Sequence, residues 1–169
     1  ILIDDEVVFT KQKYDKDIEY FELKSGGIVP ADFVFDCSGF RRLLIGELYK
    51  SQWMKYEMPC RRAIPFFLPN DGKNFPDYTE SVAMKYGWIW KIPVQGRYGC
   101  GYVFDSNFVS PDQAKKELDE TLGFEVDSPR VFSFDPGSYK TTWINNCVAL
   151  GLSSGFVEPL EATSIWVTI

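Results

Sequence analysis

The chain has no histidine among its 169 residues. That excludes imidazole ligands to zinc or iron, Ser-His-Asp and Cys-His catalysis, and a histidine general base within this stretch. Cysteine is scarce: Cys37, Cys60, Cys100 and Cys147 stand far apart, and none forms a C-x-x-C pair. Each lies in or beside an apolar, strand-like run, which reads as reduced buried thiols in a cytoplasmic protein rather than a disulfide framework or a metal site. No apolar run approaches the roughly 18 residues of a membrane span. Basic residues are outnumbered 18 to 24, for a net charge of −6, which argues against nucleic acid or an anionic membrane surface as partner. A G-x-G-x-x-G dinucleotide loop is missing, since Gly99-x-Gly101 falls inside a strand pattern. The first residue is Ile1, no signal-like segment follows it, and the final helical pattern ends without a C-cap, so the sequence reads as a piece of a longer protein. Chemistry here falls to carboxylates, lysine, backbone amides or a bound cofactor.

What is present suits one domain or the larger part of one. At 45% hydrophobic and 17% aromatic, the chain has enough apolar side chains for a sizeable core. Residues 1–29 alternate in short pieces with a Ser25-Gly26-Gly27 turn, an antiparallel meander with solvated charges on one face. Ala31–Asp36 is a continuous apolar run ending in Asp36, Cys37, Ser38 and Gly39, the pattern of a buried parallel strand opening into a turn where ligands bind in open α/β sheets. A plain strand followed by a loop is the alternative. Arg41 and Arg42 then lead a short helix at Leu43-Leu44-Ile45, with the arginines expected as a solvated helix start rather than phosphate contacts. Ala63–Leu68 is strand-like.

In Gly87-Trp88-Ile89-Trp90-Lys91-Ile92-Pro93, period two puts Trp88, Trp90 and Ile92 on one face. Tyr98, Cys100, Tyr102 and Phe104 line one face of a return strand, with Gly99 and Gly101 on the other, as where another backbone or a ligand approaches closely. Ser110-Pro111-Asp112 opens a helix that stops at Gly123, and its charged face (Lys115, Lys116, Glu117, Asp119, Glu120) reads as solvated. A further strand-like stretch at Val131–Phe134 precedes Asn146–Leu150, a buried-looking strand. Gly151–Gly155 follow as a small-residue turn, and a helix starts near Pro159, so that free amides and a positive dipole end face an anion.

Trp88-x-Trp90-x-Ile92-Pro93 resembles the W-x-W-x-I-P signature of the flavin-dependent tryptophan halogenases. Asp36-Cys37-Ser38-Gly39-Phe40-Arg41 and Gly151-Leu152-Ser153-Ser154-Gly155-Phe156-Val157-Glu158-Pro159-Leu160-Glu161-Ala162-Thr163-Ser164-Ile165 resemble that family in the same order, over essentially the whole chain. The resemblance implies an α/β (α+β mixed) fold: part of an FAD-binding, flavin-monooxygenase-like, Rossmann-like module with an antiparallel sheet on the substrate side. Residues 1–40 and 144–169 would be the flavin-binding part, and 41–143 the sheet region carrying the two tryptophans.

It further implies an enzyme that uses FADH2 and O2 to turn chloride or bromide into hypohalous acid, which halogenates tryptophan, indole or a similar ring. Glu161 matches the family's tunnel-end glutamate. The amides of Thr163 and Ser164 match its halide site, although Ser164 replaces a glycine expected in several members and Ala162 a serine. Leu152 and Ile165 match positions against the flavin, with Ser38 and Gly39 as further cofactor contacts. Trp88 and Trp90 match flavin-shielding residues. Glu158, the rival to Glu161, reads as a helix-start acid. The family's catalytic lysine has no match here, and neither Lys85 nor Lys91 takes that role, so these residues alone are expected to be inactive. The implied partners are an aromatic substrate and a separate NADH-dependent flavin reductase, and a homodimeric parent stays open. Two other readings compete: a flavin-dependent aromatic hydroxylase on the same fold, and a non-catalytic module that uses the aromatic hairpin as an exposed contact patch.

Overall fold

A computed structural model describes residues 1–70, 72, 76–128 and 130–158. They divide into two compact units, one of Ile1–Lys55 with Gly137–Phe156, the other of Tyr56–Pro136 joined by 157 and 158.

Unit one opens with the expected meander: β1 (Val7–Gln12), β2 (Ile18–Leu23) and β3 (Ile28–Pro30) pair antiparallel in that order. The buried Asn146 side chain accepts the Ile18 N–H at 2.8 Å and donates to the carbonyls of Ile18 (2.8 Å) and Asp32 (3.2 Å). That one amide ties the meander to a segment more than a hundred residues away and satisfies backbone groups that would otherwise be buried unpaired. Next comes β4 (Val34–Asp36), parallel to Cys147–Ala149 as its apolar run implied. Its burial is one-sided, however: Val34 and Asp36 point inward while Phe33 and Phe35 are 45% and 61% exposed, because a strand's side chains alternate faces.

The expected helix at Leu43–Ile45 is a π-helical turn, Leu43–Leu48, in which the N–H groups of Glu47 and Tyr49 reach back to the carbonyls of Arg42 and Leu44. Then β5 (Trp53–Lys55) ends the first pass through the unit.

Unit two is one five-stranded antiparallel sheet with a helix on one face. Its strands are β6 (Arg62–Pro69), β7 (Glu80–Ala83), β8 (Gly87–Val94), β9 (Arg97–Phe104) and β10 (Phe132–Ser133), in the order β10-β6-β9-β8-β7. The helix α1 (Pro111–Leu122) begins as its residues dictate: Ser110 caps it in a reciprocal box with Gln113, Pro111 sits in the first turn, and Gly123 closes it at φ +78°. Its Ala114 and Leu118 join Ile64, Phe66, Ile89, Tyr102 and Phe104 in the core. The charged face of α1 is not simply solvated. Glu117 accepts the Tyr102 hydroxyl and the Lys85 N–H, both at 2.8 Å, and Asp119 accepts Lys115 and the Val126 N–H. These acids fasten the helix to the sheet and to the chain that follows it, because α1 lies close enough for them to reach those donors.

The chain returns to unit one as β11 (Gly137–Tyr139), β12 (Trp143–Ile144), β13 (Cys147–Ala149), a 3-10 turn at Gly151–Ser153 and β14 (Gly155–Phe156). β11 lies between β14 and β5, and β13 lies between β12 and β4. The antiparallel-sheet part of the expected mixed fold is present and its α/β part is corrected: among the described residues the pairing is antiparallel except for β4 with β13, and α1 is the one α-helix. Local runs such as Ala31–Asp36 carry parallel character, but the intervening hundred residues supply hairpins rather than crossover helices.

Candidate functional site

The turn after β4 is organised by Asp36. Its side chain is buried and accepts four hydrogen bonds: the Ser38 hydroxyl (2.6 Å), the Ser38 N–H (3.0 Å), and the N–H groups of Leu44 and Ile45 (3.0 Å each). Burial opposes ionisation, yet the bonds from the Ser38 hydroxyl and from the Ile45, Ser38 and Leu44 amides outweigh it and hold the carboxyl below its ordinary 3.8. Cys147, on the facing strand, is fully buried; desolvation first, then the Asp36 charge, pushes its thiol up to about 12, so it stays protonated and inert.

Ser38 and Gly39, the expected cofactor contacts, differ in what they have left to offer. The Ser38 hydroxyl donates to Asp36 and accepts the Leu43 N–H at 2.8 Å, and its own N–H also serves Asp36. Its carbonyl, at the N-cap of the 3-10 turn Gly39–Arg41, accepts the first bond of that turn. Gly39 adopts φ +67°, and a Cβ built there would meet nothing within 4 Å.

Two expectations are corrected at this turn. Cys37 is exposed rather than buried, because it occupies the outward position after Asp36. Arg42 is no solvated helix start: at φ +52° it turns its guanidinium over the Trp53 indole, 3.6 Å from the ring centroid, and toward Tyr139. Arg41 remains exposed.

The turn after β13 meets this one. Ser153, fully buried, accepts the Gly39 N–H on its hydroxyl at 2.8 Å across 114 residues of sequence. The Leu150 N–H donates to the Asp36 carbonyl at 3.0 Å, and Phe40 meets Phe156 edge-on with centroids 5.2 Å apart. Leu152 lies in the 3-10 turn and is half-buried, and Gly151 takes φ +59° with open space around its Cβ position. The structure thus brings Ser38, Gly39 and Leu152 together. Glu161, Thr163, Ser164 and Ile165, with the helix start at Pro159, lie outside the described residues.

A cleft of about 680 Å³ opens beside the same turn, lined by Val8, Phe21, Phe35, Ser38, Leu44 and Leu48 among others. A flavin, whose site is implied by the family, would find packing room at the left-handed Gly39 and Gly151 corners, where no side chain stands; the Gly39 N–H and carbonyl are already bonded to Ser153 and Arg42, and the Gly151 carbonyl to Ser154.

In unit two, Trp88 and Trp90 share the sheet face opposite α1, with ring centroids 6.2 Å apart. The close approach anticipated at the strand glycines is made by a side chain: a Cβ at Gly101 would overlap the Trp90 indole, which lies flat across β9. Gly99 has open space instead. Both tryptophans are half-buried.

Sequence reasoning missed Asp36 as the organiser, Ser153 as the cross-link and the Arg42–Trp53 stack. An Asp followed by Ser two positions later is a recognisable turn signal for the first. The other two join residues with no relation in sequence, so no local pattern announces them.

The architecture is that of a flavin-dependent halogenase. It superposes on BrvH, a flavin-dependent halogenase from Brevundimonas sp. BAL3, with a TM-score of 0.88 at 37% identity, covering 98% of this chain and 35% of that one. The tryptophan 6-halogenase SttH of Streptomyces toxytricini gives 0.87 at 38% identity over 96% of this chain and 33% of that one. The Tryptophan halogenase family pattern matches residues 2–169, and the chain belongs to that family. The tryptophan 7-halogenase KtzQ of Kutzneria sp. (strain 744) is 39% identical over 94% of this chain and 31% of its own length. The chain spans about a third of the length of the relatives it matches.

Proposed function

We propose that the gene product carrying this sequence is an FADH2- and O2-dependent halogenase, acting in the cytoplasm on tryptophan, indole or a similarly electron-rich ring. The observation that carries the reading is the meeting of the Asp36–Arg42 and Leu150–Phe156 turns in one unit, across 114 residues, within a chain of this family. When bound, reduced flavin would supply the two electrons and two protons with which O2, a halide and one further proton become hypohalous acid and water.

This chain's residues then have distinct tasks. Ser38, Gly39, Leu152 and Ile165 hold the flavin. The amides of Thr163 and Ser164 bind chloride or bromide, which suits backbone donors at a helix start free of competing carboxylate charge. Glu161 orients the hypohalous acid and takes the ring proton as the C–H bond gives way to carbon–halogen, hydroxide and proton leaving as water. Trp88 and Trp90 keep organic substrate away from the flavin. An NADH-dependent reductase from elsewhere regenerates FADH2. The reading of the hairpin as an exposed contact patch loses support from Tyr102 and Phe104, both fully buried.

The test supplies the gene product with FAD, a flavin reductase, NADH, O2, bromide and a set of indoles, and follows product by mass spectrometry. A bromine isotope doublet in the wild type, reduced by about 100-fold or more in Glu161→Gln, is expected for a lost proton acceptor. An oxygen-addition product without bromine would identify a hydroxylase instead.

A further inference from the structure

We infer that Ser153 is a positioning residue that locks together the two turns offered to the flavin, an inference resting on the flavin reading above. Ser153 is fully buried at 0% exposure, and its hydroxyl serves the other turn: it accepts the Gly39 N–H at 2.8 Å and lies 3.4 Å from the Gly39 carbonyl. On either side, the Leu150–Asp36 backbone bond and the Phe40–Phe156 contact complete the stitching.

Gly39 and Gly151 both sit at left-handed corners, φ +67° and +59°, and both face open space where a Cβ would be. The Ser153 hydroxyl, held on the Gly39 main chain, sets where one corner stands relative to the other. Each corner can rotate a few degrees independently once that hydroxyl is gone, because Gly lacks the Cβ that would restrain it. Ser153 therefore acts through Gly39 and Leu152 without touching the ligand itself.

The test compares FAD dissociation constants, measured by quenching of flavin fluorescence, for the gene product carrying this sequence and for Ser153→Ala, Ser153→Cys and Asn146→Ala. Asn146 is the control: it is equally internal to unit one and cross-links other segments, Ile18 and Asp32. Ser153→Ala is expected to weaken FAD binding on the order of tenfold and to alter the visible circular dichroism of bound flavin, with Ser153→Cys intermediate. Asn146→Ala is expected to lower Tm at least as much while leaving FAD affinity within about twofold. If Ser153→Ala loses Tm but binds FAD as the wild type does, the residue is merely structural and the inference falls. If Ser153→Ala does not fold, Ser153→Cys decides by the same comparison. A wild type that binds no FAD overturns the flavin reading itself, and this inference with it.

Discussion

At the scale of single residues, Asp36 and Asn146 hold unit one together because each satisfies several buried backbone groups at once. Asp36→Asn keeps the volume but replaces one acceptor oxygen by a donor, setting it against the Leu44 and Ile45 amides or the Ser38 pair. We expect a loss of about 1–3 kcal/mol at neutral pH, read from urea denaturation. The pH dependence has a definite sign. Asp36 has its folded value depressed, so its contribution is present above the ordinary 3.8 and disappears as pH falls through the lower folded value. The gap between wild type and Asp36→Asn should therefore narrow on going from pH 7 to pH 3. A gap that widens toward acid would mean the carboxylate is not the stabilising form. Asp36 was visible in the sequence as the polar end of an apolar run, but its four donors were not, since Leu44 and Ile45 reach it only after the chain has turned back.

At the scale of elements, the tryptophan hairpin and α1 are the two that sequence describes best, and each has its own test. Period two placed Trp88, Trp90 and Ile92 on one face, and the β8–β9 register sets Trp90 opposite Gly101. Gly101→Ala should drive the indole off the sheet, costing about 1–3 kcal/mol as an overpacked site does. It should also weaken the exciton signal that two indoles 6.2 Å apart contribute to circular dichroism. An unchanged signal would mean the two rings do not owe their arrangement to the glycine. For α1, Ser110→Ala removes the cap on the Gln113 N–H and should cost about 1 kcal/mol in thermal denaturation. The helix's acids were misjudged as solvated because periodicity marks which way a face points and not whether a donor waits there.

For the molecule as a whole, charge and exposed apolar surface act together. The sequence pI is near 4.7, and Phe33, Phe35 and Trp143 form an exposed edge-to-face row with centroids 5.3 and 5.7 Å apart. With the net charge near zero, nothing offsets association through such a row. Light scattering by the 169-residue polypeptide across pH should show maximal self-association near 4.7, reduced in Phe35→Ser; equal scattering by that variant would place the association elsewhere.

The sequence by itself determined the family through three stretches whose side chains and order are local facts. It likewise determined the meander, the hairpin and the capped helix, each specified by residues within a few positions of one another. Only the tertiary structure decided that β4 and β13 lie side by side, that Ser153 bonds Gly39, and that Arg42 stacks on Trp53. Those contacts join segments brought together by burial of Ile18, Val34, Ile45 and Cys147 in one core. Burial is roughly indifferent to sequence distance, so a linear pattern carries no record of which distant partner it will choose.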